Sequence, residues 1–129
     1  MAAPRISPHI TRLAICELLG QWRRHEINEV MVLEWADIHV NLPDARYLDE
    51  ESDGSIAHEV LLLLSCLDLH LVTADDVPCY LALLATPPGE FRQGWQQFAA
   101  CVGAIDLAAR RHALAGHPLY QISQEDQAP

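Results

Sequence analysis

Apolar residues recur with a helical period in five stretches of this chain, and each gap between them carries helix-stop or helix-start chemistry. Ser7 followed by Pro8 predicts a first helix, with the serine as cap and the proline in the first helical position. It runs to about Arg24, with Ile10, Ala14, Leu18 and Trp22 as one apolar stripe and Leu13 widening it. Asn28 caps a second helix from about Glu29 to Val40. Val30, Leu33, Ala36 and Asp37 mark its turns, and Val32, Trp35 and Ile38 extend its apolar face. Leu42-Pro43 ends this stretch, because a residue before proline avoids helical angles. Ser55 caps a third helix, Ile56 to about His70, whose Val60, Leu61, Leu63, Leu64 and Leu67 surround the axis. A helix apolar on every side belongs at the centre of a bundle.

Thr73-Ala-Asp-Asp76 is close to a capping box and opens a fourth helix, from Ala74 to about Ala85. Pro78 is tolerated there because first-turn donors have no helical partner. Thr86-Pro-Pro-Gly89 breaks the chain again. A last helix follows, from near Glu90 to about Leu114, with Phe91, Trp95, Phe98, Val102, Ile105 and Ala109 as its buried stripe and Asp106 pairing with Arg110 one turn on. No alternating strand pattern competes. The expectation is an all-α, compact bundle of about five helices, one domain over residues 1–129. Frayed ends are expected at about 1–6 and 121–129, with an acidic loop at about 43–54.

Charge changes this picture more than composition does. The chain carries 18 acidic and 8 basic residues, all the bases being arginine, for a net −10. From Glu29 to Asp76 stand twelve carboxylates and one base, Arg46. The flanking segments are near neutral. Acids at a helix start have a local use, since anions favour that end, but the Asp49-Glu50-Glu51 run has none. Tyr47 and Leu48 sit inside this charged stretch, as anchors do inside the polar rim of an interface. Glu34, Asp37, Asp44, Tyr47, Asp49, Glu50, Glu51 and Asp53 are therefore the candidate partner-binding residues. So much negative charge discourages contact with nucleic acid or an anionic membrane and favours a basic protein surface.

Catalytic chemistry leaves little trace. GxSxG, P-loop and GxGxxG patterns are absent. His58-Glu59 opens like the zinc-protease HExxH, but Leu62 stands where the second histidine belongs. His25, His39, His70, His112 and His117 read as isolated surface or capping residues, and Trp22, Trp35 and Trp95 as core. Cys16, Cys66, Cys79 and Cys101 form no CxxC pair or zinc spacing and sit among apolar residues. They are expected as reduced, small hydrophobes in a reducing cytoplasm. The first apolar run, Leu13 to Leu19, is short and carries Glu17, so no signal peptide is expected. No catalytic residue, metal or cofactor is expected.

The succession Glu26-Ile27, Glu29-Val30, Glu34-Trp35-Ala36, then an acidic linker, then Leu71-Val72-Thr73 and Asp76-Val77-Pro78, resembles small acidic helical immunity proteins of bacterial polymorphic or contact-dependent toxin systems. The likeness spans roughly residues 10–115. It implies a non-enzymatic cytoplasmic inhibitor that blocks a basic toxin or nuclease domain stoichiometrically. It carries over no binding residue, so the candidate surface rests on charge alone. Two other classes fit the same acidity: a phage-derived anti-nuclease or nucleic-acid mimic, and an adaptor or secretion chaperone. An enzyme would need His58, Glu59 or the loop acids to converge in a pocket.

Overall fold

Short polar side chains set most of the helix starts. Thr11, Asn28, Ser55 and Asp106 each accept a hydrogen bond from the backbone N–H three residues on, in Ala14, Met31, His58 and Ala109. The computed structural model describes residues 3–48 and 55–120. Within them lie α1 (Arg12–Arg23), α2 (Glu29–Val40), α3 (Ile56–Leu64), α4 (Val77–Leu84), α5 (Phe91–Gly103) and α6 (Leu107–Ala113). The fold is an all-α bundle: α2 packs on α3, α5 on α4, and α1 on α4. None of the described helices is long and apolar enough to cross a membrane.

One core joins these layers. It takes Ile15, Leu18, Leu19 and Trp22 from α1, Val32, Trp35 and Ala36 from α2, and Ile56, Ala57, Val60, Leu61 and Leu64 from α3. The third helix is central, as its composition predicts, but ends at Leu64; turns carry the chain on, with Leu67 still fully buried. Arg12 closes the far end of α4, donating to the carbonyls of Leu84 and Thr86 at 3.1 and 2.7 Å. A cation there meets the helix terminus whose carbonyls have no partners of their own.

The structure departs further from the sequence expectations at the N-terminus, in the last helix and at the cysteines. Ser7 and Pro8 do not start a helix. Instead β1 (His9–Ile10) pairs in parallel with β2 (Arg46–Tyr47), and α1 begins only after Thr11. This shifts the buried face: Ile15 and Leu19 replace Ala14 and Leu13 beside Leu18 and Trp22, and Leu13 is 67 % exposed. The long last helix is two, because Asp106 leaves helical angles to cap α6, and Arg110 pairs with Asp76 rather than with Asp106. The cysteines are not all reduced: Cys79 on α4 and Cys101 on α5 form a disulfide, their Cα atoms 5.9 Å apart. Cys16 and Cys66 are free and half-buried, and burial pushes the Cys16 thiol pKa up, away from reactivity.

Candidate functional site

The two faces of α2 differ completely. Inward, Trp35 and His39 stack with ring centroids 3.8 Å apart. Both also reach across to the N-terminal strap. The Trp35 indole Nε1 donates to the Pro4 carbonyl at 2.8 Å, and the Ser7 N–H donates to His39 Nε2 at 3.1 Å. Since Nε2 accepts, the ring proton sits on Nδ1, which donates to the Trp35 carbonyl at 2.8 Å. Burial disfavours charging this imidazole and lowers its pKa, while the Trp35 carbonyl partly opposes the shift. His39 is thus a fully buried structural residue, not the isolated surface histidine that the sequence suggests.

Outward, α2 exposes Val30, Glu34, Asp37, Ile38 and Asn41, a stripe at i, i+4, i+7, i+8 and i+11. Val30 is 43 % and Ile38 41 % exposed. Sequence periodicity assigns both to the core, because a helix half rich in aliphatics does not reveal which half faces in. Asn41 braces the end of the stripe, donating to the Asp37 carbonyl and carboxylate at 2.8 and 3.1 Å. Asp44 lies exposed in the turn that leaves α2. Among the described residues, Glu34, Asp37 and Asp44 take part in no ion pair.

Tyr47 sits differently from an exposed anchor. It is half-buried in β2, its ring edge-on to His58 at 5.1 Å, and burial raises its phenol pKa. His58 is accordingly a packing partner of Tyr47. Leu48, one residue on, is 55 % exposed and is the apolar side chain this segment offers to solvent. Asp49, Glu50, Glu51 and Asp53 lie outside the described residues. The structure therefore brings Glu34 and Asp37 onto one helix face and places Asp44 just beyond its end.

A second polar feature lies at the opposite end of α2. A cleft of about 310 Å³ is bounded by His25, Glu29, Asp75, Arg110, His117 and Tyr120. His117 Nε2 and the Glu29 carboxylate face each other at 3.7 Å. Arg110 is committed inward: its Nη1 donates to the Asp76 carboxylate and, at 3.2 Å, to the Leu71 carbonyl. Asp76 also accepts from the Thr73 N–H at 3.0 Å. Tyr120 donates its hydroxyl to the Val72 carbonyl. These bonds fasten α6 and the following turn to the α3–α4 connection. Leu71 holds a left-handed φ of 56°, a conformation costly for a branched side chain by about 1–2 kcal/mol. Its buried side chain and the Arg110 bond to its carbonyl offset that cost.

Comparison of the chain with protein-family models, with curated proteins and with solved structures finds no match.

Proposed function

We propose that this protein is a non-enzymatic inhibitor, of the immunity-protein kind, that binds and neutralises a protein partner through a basic surface on that partner. The observation that carries this is the outer face of α2. Two exposed aliphatics, Val30 and Ile38, share it with Glu34 and Asp37, which have no counter-ion among the described residues. A solvated helix face needs neither the exposed aliphatics nor the uncompensated acids. A partner surface with a hydrophobic seat and an arginine or lysine rim uses both: the aliphatics are desolvated on binding and the acids steer the approach. Asp44 and the acids of residues 49–53 extend the same field along the chain.

The natural partner under this proposal is the product of a neighbouring gene with a toxic or nuclease domain. Expressed alone, that product should arrest growth, and co-expression of this chain should restore it. The combined variant Glu34→Gln, Asp37→Asn, Asp44→Asn should slow association about tenfold or more at low salt and lose most of that difference at high salt. Ile38→Ala should instead raise the dissociation rate. Undiminished protection by both variants would remove the α2 face from the function.

The proposal places the protein in the cytoplasm, where the unbridged Cys16 and Cys66 belong. The Cys79–Cys101 bridge is the feature that opposes this, since cytosolic disulfides are rare. Alkylation of acid-quenched cells decides: four labelled thiols fit a reducing cytoplasm, and two fit an oxidising compartment.

A further inference from the structure

A second cavity, of about 220 Å³ and also lined by Arg110, lies between the end of α3 and helices α4, α5 and α6. Its wall is apolar: Leu63, Val72, Phe98, Val102, Ile105 and Leu107. Three polar side chains, Tyr80, Arg110 and His70, interrupt that wall. Tyr80, a residue only 3 % exposed, lines the cavity, and its hydroxyl makes no hydrogen bond among the described residues. Arg110 lines it as well. Only its Nη1 is engaged, by Asp76 and Leu71, so the N–H groups on Nε and Nη2 have no acceptor among the described residues. His70, the third, is exposed to solvent.

The Tyr80 hydroxyl is not sealed from solvent, so with no protein acceptor its partner comes from the cavity, where water serves when nothing else is bound. A phenol and a guanidinium with spare donors, at the edge of an otherwise apolar hollow, together call for an acceptor that arrives with a hydrocarbon tail. Burial, with Asp76 nearby, raises the Tyr80 pKa and keeps its hydroxyl a donor near neutral pH.

We propose that this cavity binds a small monocarboxylic acid with an apolar tail. The carboxylate takes hydrogen bonds from the Tyr80 hydroxyl and the free edge of Arg110. The tail lies against Phe98, Val102 and Leu107. The volume falls below the roughly 300–1,000 Å³ of sites for drug-sized ligands, so the tail is short. Asp76 already offsets part of the Arg110 charge, which sets modest affinity. The site lies apart from the outer face of α2 and stands independently of the inhibitor proposal.

The test is a titration of the intact protein with hexanoate, followed by the methyl resonances of Val72, Val102 and Leu107. Hexan-1-ol, with the same tail and no charge, and acetate, with the same charge and no tail, are run beside it. Hexanoate should bind with a Kd below about 1 mM and both controls at least about tenfold more weakly. Tyr80→Phe should leave thermal stability unchanged or raised, and weaken hexanoate at least about tenfold. Val102→Phe, filling the hollow from α5, should abolish binding. Equal affinity for hexan-1-ol, unchanged hexanoate binding by Tyr80→Phe, or no methyl shifts at millimolar hexanoate would each overturn the proposal.

Discussion

The neutral ring of His39 connects the N-terminal strap to α2. The ring is neutral because both nitrogens are used, one donating to Trp35 and one accepting from Ser7. Its folded-state pKa lies below the unfolded value of about 6.5. The unfolded chain therefore binds more protons as pH falls through that value, and stability falls with it. Melts at pH 7.5 and 5.5 should show this loss, and His39→Gln should flatten that part of the profile while lowering stability at both pH values. Asp76 makes a different prediction. It is 5 % exposed and holds both the Arg110 guanidinium and the Thr73 N–H. Asp76→Ala leaves a largely buried guanidinium, 15 % exposed, without its counter-ion and should cost about 2–3 kcal/mol by denaturant titration.

At the scale of elements, the α4–α5 pair rests on a close approach and a covalent tie. A Cβ on Gly94 would lie 2.8 Å from Thr86 Cγ2, and Thr86 is buried with little room to turn. Gly94→Ala should thus destabilise by about 1–2 kcal/mol despite the better helix propensity of alanine. Cys79 and Cys101 close a loop of 22 residues, so reduction should lower stability by about 3 kcal/mol. A drop in melting temperature with reductant, absent in a Cys79→Ser, Cys101→Ser double variant, checks it. The helices themselves were legible from the chain: α2 with its Asn28 cap, the Ser55 start of α3, and the Asp76 return to Thr73 all follow from local residue chemistry. The remainder needed tertiary information. Two residues of β1 have no period to detect, and their partner β2 lies 37 positions on. The disulfide joins cysteines that each look, locally, like small apolar fillers. The α5–α6 break did leave a signal: Asp106 is a good cap, and its spacing to Arg110 masked that role. For the candidate site, charge placed Glu34 and Asp37 on α2, whereas the exposure of Val30 and Ile38 required knowing which side of that helix packs on α3.

For the whole molecule, stability is unevenly distributed, and α6 shows how. None of its side chains is buried, while α3 buries five of nine. What holds α6 is Arg110 at its centre and, beyond its end, Leu114 against the core and the buried Tyr120; Arg110 and Tyr120 both dock on the Leu71–Asp76 connection. An element held by so few anchors opens as a unit without unfolding the rest. In deuterium exchange, the amides of Leu107–Ala113 should therefore be lost together and early, while those of Val60–Leu64 should exchange only through global unfolding. Mass-spectrometric exchange on the intact chain reads both rates at once. Equal protection of the two segments would mean that α6 is held by more than these anchors. If the early loss is seen, it gives the molecule a door: α6 supplies Leu107 and Arg110 to the apolar hollow, so the frequency of its opening would set how fast anything enters or leaves.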